Sequence, residues 1–125
     1  MFHVQQVETL ELPELAPYRT MRRHVDHAQR RIFVAEGDKV VRRLLESDFT
    51  VVSALMPEKW VEELAPLLKA RPENIPVFLA PKALLEELIG FSMFQGVMAV
   101  GRFPQPVPLE TILRKSPRPH LLVAL

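Results

Sequence analysis

Apolar positions along the chain alternate between two spacings, one suited to strands and one to helices. Thr50-Val51-Val52-Ser53-Ala54-Leu55-Met56 is a mostly apolar, β-branched run of strand length. Ile75-Pro76-Val77-Phe78-Leu79-Ala80 and Gly96-Val97-Met98-Ala99-Val100-Gly101 have the same character, and Phe33-Val34-Ala35-Glu36 supplies one more. Between these runs the spacing changes to three and four residues. Val40, Val41, Leu44 and Leu45 mark one helix, Trp60, Val61, Leu64, Leu67 and Leu68 a second, and Leu84, Leu85, Leu88 and Ile89 a third. Pro57 and Pro81 stand where a first helical turn tolerates a missing N–H, Gly90 stands where a left-handed cap belongs, and Pro66 is expected to bend or end the second helix. Residues 17–31 read as a further helix opened by Pro17, with Tyr18, Met21, Val25 and Ala28 on a thin apolar side. Strands alternating with helices predict an α/β fold, a three-layer helix-sheet-helix sandwich around four strands.

The C-terminal part breaks this rhythm. Phe103-Pro104-Gln105-Pro106-Val107-Pro108 is a stiff extended linker, a short helix follows through Leu109, Ile112 and Leu113, and Ser116-Pro117-Arg118-Pro119 is a second linker. His120-Leu121-Leu122-Val123-Ala124-Leu125 then reads as a buried strand without a partner. After two proline-rich breaks such a strand opens a second domain more readily than it ends the first, because alone it is a sticky edge; the other reading adds it to the first sheet. The expected organisation is an N-terminal extension over 1–16, a globular domain over 17–103, a proline-rich linker over 104–119 and the first strand of a truncated domain over 120–125.

Composition changes the picture in two places. With 125 residues, 48% hydrophobic and 25% charged, the chain suits one globular domain. It has no cysteine, which excludes disulfides, thiolate nucleophiles and Cys-ligated zinc and fits a reducing, cytoplasmic setting. No apolar run has the length of a membrane helix, so no membrane partner is expected. Net charge is only +1, yet the stretch from Arg19 to Arg43 holds eight basic residues against three acidic ones, and seven of the eight are arginine. Arginine grips phosphate bidentately and stacks on bases, whereas lysine would serve solubility equally well.

Candidate chemistry gathers around Glu36-Gly37. The glycine turns a strand into a helix whose Lys39, Arg42, Arg43 and Glu46 share the face opposite the apolar stripe. Such a turn presents backbone N–H groups and positive charge to one phosphate, and the competing reading is a solvated helix face. Glu36 reads as a brace for the loop rather than a general base. His24, Asp26 and His27 lack a third ligand or an intervening glutamate, so a metal site and a small hydrolase are not supported.

Arg30-Arg31-Ile32-Phe33-Val34-Ala35-Glu36-Gly37, the Val40 to Leu45 helix, the Ile75 to Ala80 strand and Phe94-Gln95-Gly96-Val97-Met98-Ala99-Val100, in this order, resemble the N-terminal substrate-binding domain of the SpoU (TrmH) family of RNA 2′-O-ribose methyltransferases. The resemblance implies a fold like that of the ribosomal-protein family that binds kink-turn RNA. It also implies a domain, over 17–103, that presents structured rRNA or tRNA to a following knotted domain binding S-adenosylmethionine. Catalytic residues and the cofactor then belong beyond Leu125, so this stretch is expected to hold no cofactor and to be inactive alone. The full-length protein is expected to be a homodimer through that following domain and this piece a monomer. The implied RNA-contacting residues are Arg30, Arg31, Glu36, Gly37, Lys39, Arg42, Arg43, Phe94, Gln95 and Gly96. The family commonly has histidine where this chain has Phe94, which either stacks on an unpaired base or fills the core; Gln95 either reads a base edge or caps the loop. The alternative is a protein-interaction or dimerisation module without RNA contact, built on the thin-striped helix over 17–31, which either packs lightly or settles on RNA or a second subunit.

Overall fold

Phe2–Gln6 (β1), Ile32–Glu36 (β2), Thr50–Met56 (β3), Ile75–Leu79 (β4) and Met98–Arg102 (β5) form one mixed sheet in the order β1-β4-β3-β5-β2. The structure, a computed structural model, describes residues 1–20, 30–89, 96–105, 107–121 and 123, the side chains of Leu88 and Ile89 excepted. A single 3-10 turn at Pro13–Leu15 runs into α1 (Ala16–Arg19), followed by α2 (Asp38–Glu46), α3 (Glu58–Lys69), α4 (Lys82–Ile89) and α5 (Leu109–Lys115). β4 lies parallel to both β1 and β3, while β5 runs antiparallel to β3 and β2. A helical crossover is what parallel neighbours require, and α3 supplies it between β3 and β4.

Side-chain alternation sends the strands' apolar residues to two cores. Val41, Leu44 and Leu45 of α2 and Leu64 and Leu68 of α3 pack on Ala35, Ala54, Met56, Val77 and Ala99. On the other face Leu15, Tyr18 and Leu85 pack on Ile32, Leu55, Phe78, Met98 and Val100. Helices therefore cover both faces, as the alternation predicts. A bulge in β3 adjusts the fit. Val51 opposes Gly101 and Ser53 opposes Val100, so Val52 is the extra residue and Val51 and Ala54, three apart, reach the same core. Ser53 is turned toward Tyr18, whose hydroxyl shares a 2.7 Å hydrogen bond with the Ser53 hydroxyl in full burial. Burial pushes the Tyr18 phenol well above its ordinary value.

Four expectations are corrected. The sheet has five strands, because Phe2–Gln6 within the expected extension pairs with β4; only Phe2 of this strand packs on a core, so no alternating stripe marks it. Val40 is 53% exposed and does not join the apolar face of α2. Pro66 does not end α3, since the helix continues to Lys69 and the Ala70 N–H donates to the Pro66 carbonyl. Tyr18, expected on a lightly packed helix, is fully buried. Residues 21–29 of that helix, with His24, Asp26 and His27, and Gly90 lie outside the described residues. The short helix after the first linker is present as α5, and Leu121 and Val123 are exposed and outside the sheet.

One close approach holds β2 on β5. Phe33 opposes Gly101, and a Cβ at position 101 would lie 2.5 Å from Phe33 Cζ and 2.9 Å from a Leu44 methyl. Gly101→Ala is therefore expected to destabilise the fold by about 1–3 kcal/mol through overpacking, read as a lowered urea midpoint; an unchanged midpoint would contradict this packing.

Candidate nucleic-acid interface

The Glu36-Gly37 turn forms because β2 ends there against β5 and α2 must start at once. Gly37 takes a positive φ of 97°, and its N–H donates to the Val97 carbonyl at 2.9 Å. Gly96, also at positive φ, precedes Val97, so the two expected loops meet. Lys39 follows in the first turn of α2. Because Val41, Leu44 and Leu45 face the sheet, Lys39 and Arg43 lie on the outer face, four residues apart and exposed. Among the described residues no acidic side chain pairs with either of them. Arg42 is placed differently. It donates to Asp38 at 2.5 Å and to Glu63 of α3 at 3.3 Å, which ties α2 to α3. Phe94 and Gln95 lie outside the described residues.

Arg30 and Arg31 stand at the other end of β2, about 17 Å away for a strand of this length. The expected set is thus divided between two ends of one edge strand. Antiparallel pairing puts Ile32 and Thr50 opposite Arg102, so the start of β2, the start of β3 and the end of β5 converge. They enclose a cleft of about 420 Å³ walled by Arg30, Arg31, Arg102, Asp48, Phe49 and Phe103. Arg31 has a φ of 57°, a left-handed conformation uncommon outside glycine, and its carbonyl accepts the Phe103 N–H at 2.7 Å. Phe103 lies 4.8 Å from Phe33, centroid to centroid, and Phe33 meets Phe49 edge-on at 6.0 Å. Phe103 remains 47% exposed.

Arg71 builds this end from below. It is 8% exposed and donates to the carbonyls of Leu45, Ser47 and Phe49, which cap α2 and shape the turn into β3. Glu73 grips the same guanidinium at 2.8 and 2.9 Å and accepts the Val51 N–H at 2.9 Å. The hydrogen bond from Arg71 holds the Glu73 carboxyl down to about 2. Arg71, Glu73, Arg102, Phe103 and Phe49 were not among the residues the sequence singled out for the site. For Arg102 and Phe103 the signal was available in the pairing of a glycine-bearing strand, Gly101-Arg102-Phe103, with Arg31-Ile32-Phe33.

The opposite edge has the opposite charge. At the carboxyl ends of β1 and β4 a cavity of about 690 Å³ is lined by Glu8, Glu58 and Glu87 with Val7, Leu79 and Pro81. Acidic side chains gather at that edge and basic ones at the β2 edge. No helix among the described residues is long and apolar enough to cross a membrane.

Solved structures that superpose on this chain include RNA methyltransferases. Two crystal structures of an rRNA methyltransferase from Sinorhizobium meliloti, one of them with AdoMet bound, superpose with a TM-score of 0.60 at 20% identity over 81% of this chain. An RNA 2′-O ribose methyltransferase superposes with a TM-score of 0.57 at 18% identity over 86% of it. The chain covers 37–39% of the length of these proteins. No family model matches the chain, and no curated protein sequence does.

The Arg71–Glu73 pair makes stability pH-dependent in one direction. A carboxyl held at about 2 when folded, against an ordinary 4.5, stabilises the fold above 4.5 and ceases to do so as pH falls toward 2. The wild type is expected to lose more stability across that window than Glu73→Gln, and Arg71→Met to cost on the order of 3 kcal/mol at neutral pH. Urea unfolding at several pH values checks both; parallel pH profiles would contradict the pair.

Proposed function

We propose that this chain is the RNA substrate-binding domain of a SpoU/TrmH-type RNA 2′-O-ribose methyltransferase, and that it presents rRNA or tRNA to an attached S-adenosylmethionine-dependent domain. The observation that carries the reading is the meeting of the Glu36-Gly37 turn with Gly96-Val97, next to a face of α2 whose exposed Lys39 and Arg43 have no acidic partner among the described residues. That arrangement offers positive charge beside a turn that a phosphate backbone can approach closely. The shared fold with RNA methyltransferases supports it, and so does the order of the sequence segments that resemble the family. The fold then corresponds to that of kink-turn-binding ribosomal proteins.

Methyl transfer is assigned to the attached domain. The donor's carboxylate favours a cation, and the 690 Å³ cavity at the ends of β1 and β4 presents Glu8, Glu58 and Glu87 instead. In this reading residues 104–119 link the two domains, 120–125 begin the second, and the whole protein dimerises through that second domain. Of the thin stripe on which the dimerisation alternative rests, Tyr18 spends its apolar surface inside this domain, while Met21, Val25 and Ala28 lie outside the described residues.

The test is fluorescence anisotropy with structured rRNA and tRNA fragments at two salt concentrations. Four phosphate contacts, from Arg30, Arg31, Lys39 and Arg43, are expected to give a log-affinity against log-salt slope of about −3. Lys39→Glu with Arg43→Glu is expected to remove most of the binding. Arg42 is left intact because its reversal would break the contacts to Asp38 and Glu63. A slope near zero, or binding indifferent to the double variant, would overturn the proposal.

A further inference from the structure

The cleft at the start of β2 is remote from the Gly37 turn and combines two chemistries. Arg30, Arg31 and Arg102 supply three guanidinium groups, and among the described residues no carboxylate forms an ion pair with any of them. Phe103 supplies an aromatic ring that is half exposed although it is backed by Phe33. Behind Phe33 stands Phe49, and behind Phe49 the Arg71–Glu73 pair, so the ring is held rather than loosely displayed. An exposed apolar ring among unpaired cations is costly for solubility alone, and it is the combination with which proteins hold unpaired nucleotides.

We propose that this cleft seats one unpaired nucleotide of the bound RNA, its base against Phe103 and its flanking phosphates against Arg30, Arg31 and Arg102. The inference rests on the RNA-binding reading above and adds a second contact point to it. A cleft of about 420 Å³ is of small-ligand size, which suits one nucleotide and excludes a duplex. Asp48 on the wall repels phosphate and offers an acceptor to a base amino group or a ribose hydroxyl, which orients the nucleotide base-inward. Unpaired bases have free faces for stacking, whereas paired ones in A-form RNA do not. The RNA that fits both regions is a helix with a loop or bulge within one strand length, roughly 17 Å, of its phosphate contacts along α2 at Lys39 and Arg43.

The whole chain is titrated with an RNA hairpin carrying 2-aminopurine in its loop, and with a fully paired duplex of equal length. The hairpin is expected to bind more tightly and to change its 2-aminopurine emission. Phe103→Leu, which keeps apolar contact with Phe33, is expected to weaken hairpin binding about tenfold, while Phe103→Tyr retains it. Arg102→Gln is expected to flatten the salt slope by about 0.7, with the circular dichroism of all variants unchanged. Unchanged hairpin binding in both Phe103→Leu and Arg102→Gln, with binding still lost in the Lys39 and Arg43 double variant, overturns the cleft and leaves the RNA reading standing. Absence of RNA binding by the wild type overturns both. Displacement of the hairpin by polyglutamate as readily as by unlabelled RNA identifies a cleft for acidic peptide and overturns the nucleotide.

Discussion

Phe33 occupies the space that any side chain at position 101 would need, and this single exclusion fixes how β2 lies on β5. A slip of one residue would bring Phe33 opposite Val100 or Arg102 and turn every side chain of the strand to the wrong face. With the register held, Arg31 and Ile32 come beside Arg102 and Phe103, and Glu36-Gly37 comes beside Val97 and Met98. Both ends of the proposed interface therefore depend on one glycine and one phenylalanine that pair next to the Ile32 end of the strand pair. The same ring continues outward to Phe103, so the packing that sets the register also supports the exposed aromatic.

A second constraint acts where α2 ends and the chain turns into β3. α2 must return from the Gly37 end to the start of β3, and its last carbonyls would be left unsatisfied at a partly buried turn. Arg71 answers three of the carbonyls in this region and is itself neutralised by Glu73. The arrangement resolves the cost of burying a charge by giving it several acceptors and a carboxylate. It also leaves the surface arginines of the β2 edge free of internal duties, because the one internal cation that the turn needs comes from elsewhere in the chain.

The layered α/β pattern was legible because fully buried strands and amphipathic helices differ in period, and β3, β4, α2 and α3 all have strong signals. β1 was not legible: as an edge strand it is held by backbone hydrogen bonds to β4, and its Val4 is exposed, so hydrophobic alternation carries little of its energy. The site was legible by halves. Lys39 and Arg43 follow from helical spacing, and Arg30 and Arg31 from local charge, but their separation along β2 is a matter of strand length and direction. Arg42 shows the limit of reasoning from spacing, since its helical position fits the basic face while its partner Glu63 is set by how α3 packs. Arg71 carries no local sequence signal because its acceptors come from residues more than twenty positions earlier.

The most direct test of two contact regions on one edge strand is amide chemical-shift mapping of the chain titrated with a structured RNA containing an unpaired loop. The account predicts that shifts cluster around Gly37, Lys39 and Arg43 and, separately, around Arg31, Arg102 and Phe103, while Glu8, Glu58 and Glu87 stay unmoved. Shifts centred on the acidic edge, or none at either end of β2, would contradict it.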